Sequence, residues 1–142
     1  MANQIQPQNV QSLQSIEAVV NGPDGANRLI IITGLATAIV QSFSNNPDAV
    51  QQQRATYTLL VGPQLSRQQF VRAIAIASPT VFDFDNANHV LWSLTDVDAD
   101  FDDESQRVEL RVEINTSVRG PAGNSNSGLF AFGFQVTILA AL

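Results

Sequence analysis

The 142-residue chain has no cysteine and no lysine, and only one histidine, one tryptophan and one tyrosine. Without cysteine there can be no disulfide, no thiolate metal ligand and no thiol nucleophile, although this does not fix the compartment. A single histidine without cysteine leaves too few donors for a zinc site. All seven basic residues are arginine and form no basic cluster, so nucleic acid is not an expected partner. Charged residues are 14% of the chain, against about 25% in an ordinary globular protein. Gln, Asn, Ser and Thr supply the polarity instead. A weakly charged surface repels its own copies little, which favours association. The opening MANQIQPQNVQ lacks the basic start and apolar run of a signal peptide. The most apolar window, 29–40, is broken by Thr33, Gly34 and Thr37. It falls short of the roughly 18 residues a membrane helix needs, so no membrane span is expected.

What is present centres on residues 89–118, which read as a long β-hairpin. On the way in, Val97, Ala99 and Phe101 alternate with Asp96, Asp98, Asp100 and Asp102; on the way out, Val108, Leu110, Val112 and Ile114 alternate with Arg107, Glu109, Arg111 and Glu113. Period-two alternation on both arms of a turn at 102–105 signals paired strands. Residues 83–119 hold ten acids and three Arg, a net of −7, while the rest of the chain carries +1 of the overall −6. The chain is acidic, and its acid is concentrated here.

Residues 1–15, rich in Gln and Asn, read as a polar N-terminal arm that is loose in the isolated chain, ahead of one domain over 16–142. Residues 15–20 fit a strand or one end of a helix. Asn21-Gly22-Pro23-Asp24-Gly25 is a loop. Residues 28–43 form a long strand apolar on both faces, with Gly34 suggesting a bulge or bend. A single helical turn fits 47–53, and 55–61 is a strand. The stretch 66–77 is open between strand and Ala-rich helix, ended by Ser78-Pro79, and 81–84 is a short strand. After the flexible loop 119–128 comes a last strand, 129–140. Its Phe130, Phe132, Phe134, Val136 and Ile138 share one face, and Leu129, Ala131, Gly133, Gln135, Thr137 and Leu139 the other. About six to eight strands with few helical signals predict an all-β, antiparallel β-sandwich of jelly-roll or immunoglobulin-like type.

Sites are few. Asp96, Asp98, Asp100, Asp102, Asp103 and Glu104 supply hard oxygens, and Asp102, Asp103 and Glu104 at the turn are the candidate Ca²⁺ ligands. The Asp-x-Asp-x-Asp spacing fails the calcium-loop pattern, having neither Gly at position 6 nor Glu at position 12. If Asp103-Glu104 are the central turn residues, the acids instead face arginines, Asp100 opposite Arg107 and Asp96 opposite Arg111. His89 has Ser93 and Asp96 nearby in sequence, but alternation sets Asp96 on the opposite face and no Gly-x-Ser-x-Gly elbow exists, so no catalytic group is assigned. Asn115-Thr116-Ser117 matches a glycosylation sequon inside a strand. Trp92 is the candidate ligand-binding aromatic. No cofactor is implied.

The function expected is that of a non-enzymatic structural protein, a self-assembling β-sandwich protomer of a homo-oligomer, filament or shell. Leu29, Ile30, Ile31, Ile32, Ile39, Leu129 and Leu139 are the candidate interface, because strands 28–43 and 129–140 carry apolar residues on both faces. The alternative is a carbohydrate- or Ca²⁺-dependent binding module using the acidic turn and Trp92.

Overall fold

The computed structural model describes residues 2–23 and 25–142. Eight strands run in chain order: β1 Ala2–Gln4, β2 Val10–Gly22, β3 Gly25–Phe43, β4 Gln51–Val61, β5 Phe70–Asp85, β6 His89–Asp102, β7 Arg107–Arg119 and β8 Asn126–Ala141. The described residues contain no α-helix, only one 3₁₀ turn at Pro7–Asn9. One sheet has the order β1-β4-β7-β6 and the other β2-β3-β8-β5. Every pairing is antiparallel except β1 with β4. From β3 to β6 each strand crosses to the opposite sheet. The hairpin β6–β7 then turns back, and β8 returns to lie between β3 and β5. This rolled connectivity makes the protein an all-β sandwich of two four-stranded sheets.

The apolar alternation explains which face of each strand turns in. Ile30, Ile32, Ala36, Ala38 and Val40 of β3 and Phe132, Phe134, Val136 and Ile138 of β8 are buried. They meet Leu59 and Val61 of β4, Val108, Leu110, Val112 and Ile114 of β7, and Ala99 and Phe101 of β6. Each large side chain so buried contributes on the order of 2 kcal/mol. On β5 the inward residues are Ala73, Ala75 and Ala77, small enough for the sheets to close tightly at that edge.

Several local expectations are revised. Of the stretch 66–77, residues 67–69 form a turn and the strand begins at Phe70, its alanines alternating under a sheet. β5 runs through Ser78-Pro79 to Asp85 as one strand with breaks in register around Pro79. Proline is tolerated there since β5 is an edge strand. Residues 47–49 form a turn, and β4 starts at Gln51, so no helical turn forms over 47–53. Gly34 is not a bulge: it pairs in register with Phe134, and the slip between β3 and β8 falls between Thr37 and Val40. A Cβ on Gly34 would lie 2.8 Å from Cζ of Phe134, so this glycine makes room for the ring. At the slip the alternation of β8 breaks. Leu129 turns into the core with 0% exposure. Phe130 is only half-buried, its ring over Gly128, where a Cβ would come within 2.9 Å of it.

The hairpin forms, but with a longer loop. Asp102 pairs with Arg107, Asp100 with Glu109 and Asp98 with Arg111, not Asp100 with Arg107 and Asp96 with Arg111. The loop 103–106 closes through Gln106 N–H donating to the Asp102 carbonyl at 2.8 Å, with Gln106 in the left-handed region at φ 58. Two added loop residues move the register by two, which leaves every side chain on its expected face. Asp96 falls in a bulge between Thr95 and Asp98, at φ 51. Among the described residues the ion pairs are Arg28–Glu17, Arg54–Glu113 and Arg67–Asp103.

The residues read as a polar arm lie along the sandwich. Ala2, Asn3 and Gln4 pair in parallel with Thr56, Tyr57 and Thr58 of β4, and Ile5 is buried. From Val10 onward the chain pairs with β3. Of the residues read as the loop 21–25, Asn21 and Gly22 belong to β2 and Gly25 to β3, with Asn21 paired to Ala26 and Gly22 to Gly25; Asp24 lies outside the described residues.

Candidate functional site

The carboxylates of the acidic turn point apart. Asp102 accepts the Ser105 amide at 3.0 Å. Hydrogen bonds from the Ser105 side chain and backbone hold its carboxyl below the usual carboxylate range. Asp103 reaches across to Arg67 at 3.8 Å. Among the described residues no three His, Asp or Glu side chains converge as a metal site would require. His89 is exposed at the start of β6, opposite Arg119.

Trp92 faces inward, opposite Thr116 of β7. It fills the gap between the edge strands of the two sheets, its ring 4.7 Å from Phe82 and 6.0 Å from Phe84 of β5. Its indole Nε1 is buried without a hydrogen-bond partner. The inward pairing explains why Trp92 breaks the parity of the later part of β6: the bulge at Asp96 lies between them.

The sheets differ most on their outer faces. Outside β4, β7 and β6 stand Arg54, Glu113, Arg111, Glu109, Asp98 and Asp100. The outer face of β2-β3-β8-β5 is built in rows by register. Ile16, Ile31, Thr137 and Ile74 form one row; Gln14, Thr33, Gln135 and Ile76 the next; Ala18, Leu29, Leu139 and Arg72 a third. Across these rows Arg72 is the one charged residue. Ile16, Ile74 and Ile76 are 65%, 58% and 66% exposed. Of the interface residues named from sequence, Leu29, Ile31 and Leu139 lie half-buried on this face and Ile39 is exposed, whereas Ile30, Ile32 and Leu129 are core. The sequence reading missed Ile16, Ile74 and Ile76. Their signal was present, since each alternates with small or polar residues, but 15–20 and 66–77 also fitted helices.

A second feature is a cleft of about 400 Å³ beneath β2, lined by Val10, Leu13, Ile30, Ile32, Leu59 and Val61 with a polar mouth of Glu17, Arg28 and Arg107. Arg28 Nε donates to Glu17 at 2.6 Å. That bond lowers the Glu17 carboxyl from its ordinary value and raises the Arg28 guanidinium. Arg107 Nε donates to the Gly62 carbonyl at 2.8 Å, so both arginines are engaged within the protein.

No family model matches the chain, and neither the curated proteins nor the solved structures yield a match. Fold and surface together define an all-β sandwich with one charged outer face and one outer face whose central rows are largely apolar.

Proposed function

We propose that the protein is a non-enzymatic structural protomer that assembles with copies of itself through the outer face of β2-β3-β8-β5. The observation that carries this reading is the near-absence of charge across the three central rows of that face: one arginine among Ile, Leu, Ala, Thr and Gln, with Asp83 and Asp85 only at the far end of β5. An antiparallel sheet that meets water on one side is normally polar there, as the opposite sheet is. A broad apolar face on a folded domain marks an interaction surface. A copy of the chain is the simplest cover, since a chain with 14% charged residues repels its own copies weakly.

The test is size in solution. Wild-type protein at micromolar concentration should sediment as a defined oligomer, and Ile74→Asp with Ile76→Asp should reduce it without lowering the melting temperature of the protomer. Ile32→Asp, placed in the core, should unfold the chain instead. A wild-type monomer across the micromolar range ends this reading.

A carbohydrate-binding module is the second reading, favoured by the unpartnered Nε1 of Trp92 between Phe82 and Phe84. Its Ca²⁺-dependent form is less well supported, because Asp102 and Asp103 are turned to Ser105 and Arg67.

A further inference from the structure

We infer that two copies of this chain pair through the free edges of β2, antiparallel about a two-fold axis at Ile16, so that the two β2-β3-β8-β5 sheets become one continuous sheet. The inference rests on the reading that the protein self-associates and names a contact along the sheet edge, which meets the outer face only at Ile16.

The sandwich has four sheet edges, and three carry the features that discourage strand addition. β1 is three residues long. β6 has a bulge at Asp96 and a line of carboxylates at Asp96, Asp98 and Asp100. β5 has Pro79, three breaks in register, and Asp83 and Asp85. β2 differs. From Gln14 to Gly22 its pairing with β3 is unbroken, it contains no proline, and its one charge, Glu17, is held by Arg28. Both faces of β2 are also wet. Leu13 and Val19, on the cleft side, are 61% and 62% exposed, and Ile16 on the other side is 65% exposed.

The occupant follows from the pattern. Leu13 and Val19 stand three residues to either side of Ile16. In an antiparallel pair about a two-fold axis, residues equally distant from the axis oppose one another. Ile16 then meets the partner's Ile16 on the outer side. On the cleft side Leu13 meets the partner's Val19, and Ser15 meets the partner's Glu17. All three exposed apolar side chains find apolar partners and no like charges meet. A strand from an unrelated protein would have no need of this symmetry, whereas a second copy supplies it automatically.

The cysteine-free chain permits a direct test. Ile16→Cys places one thiol per chain on the proposed axis. Directly opposed residues have Cα atoms about 4.5–5.5 Å apart, within disulfide reach. Under mild oxidation at micromolar concentration, this variant should form covalent dimer roughly a hundredfold faster than Leu91→Cys, an exposed site on the other sheet, because paired thiols react at high effective concentration. Leu13→Cys mixed with Val19→Cys should cross-link to each other, and neither should do so alone. If Ile16→Cys oxidises no faster than Leu91→Cys while the wild type still sediments as an oligomer, this pairing is wrong and the outer-face reading stands. Rapid cross-linking at Ile16 with no effect of Ile74→Asp on assembly supports the edge pairing and overturns the outer-face contact. A wild-type monomer with no cross-linking overturns both.

Discussion

At one end of the sandwich the sheets are joined by hydroxyl groups rather than apolar contacts, and replacing two of them shows what they contribute. Ser42 of β3 and Thr116 of β7 are 0% and 1% exposed. The Ser42 hydroxyl donates to the Thr116 carbonyl at 3.0 Å and lies 2.6 Å from Thr116 Oγ1. Because Ser42 has one hydroxyl proton and spends it on the carbonyl, Thr116 is the donor in the shorter contact. Beside them Ser127 Oγ donates to the Ser117 carbonyl at 2.8 Å, and Ser44 Oγ donates to the Gly120 carbonyl at 2.7 Å. Ser42→Ala leaves the Thr116 hydroxyl buried without its acceptor, a loss of about 1–3 kcal/mol. For a chain of this size that is a fall in melting temperature of about 4 °C per kcal/mol. Thr116→Val keeps the shape and removes the donor, at a similar cost. The double variant replaces both partners with apolar groups, so it should lose clearly less than the two singles together. The coupling should fall within the roughly 0.5–3 kcal/mol typical of contacting residues. Urea denaturation of the four proteins, all at one protein concentration so that association does not enter, measures that coupling. Strictly additive losses would show that the two hydroxyls do not act as a pair and would refute the reasoning.

Two further outcomes follow from packing and charge. Gly34→Ala should destabilise by about 1–3 kcal/mol by overpacking, because the new methyl meets the Phe134 ring and Val10; a thermal melt equal to wild type would show that the ring can move aside freely. Asp102 has a carboxyl held below its ordinary value by Ser105, so its contribution is present above about pH 4 and is lost as pH falls through the lowered value. Asp102→Asn should therefore flatten the acid limb of the stability profile in that window, and an unchanged limb in acid unfolding followed by circular dichroism would contradict the assignment.

In the hairpin, alternation alone was enough to determine the strands and their faces. In β6 and β7 it told which side chains turn inward, and the buried Ala99, Phe101, Val108, Leu110, Val112 and Ile114 follow that pattern. A period of two cannot distinguish registers that differ by two residues, so the Asp–Arg partners in the hairpin depended on a loop whose length is set by its own hydrogen bonds. For the same reason the pattern could not locate a bulge. Leu129 and Phe130 exchanged places because β3 has two residues opposite one of β8, a pairing between segments some ninety positions apart in the sequence. The isolated segments 15–20 and 66–77 were ambiguous because short apolar runs fit either period; neighbouring strands decided them, since their backbone groups complete the ladders of β3 and β8. The apolar outer face was legible only in part. Sequence showed that β3 and β8 are apolar on both sides, but which side is core depends on where the second sheet lies. Only the rolled connectivity puts Ile30, Ile32 and Leu129 beneath that sheet and leaves Ile16, Ile31, Ile74 and Ile76 together on the outside.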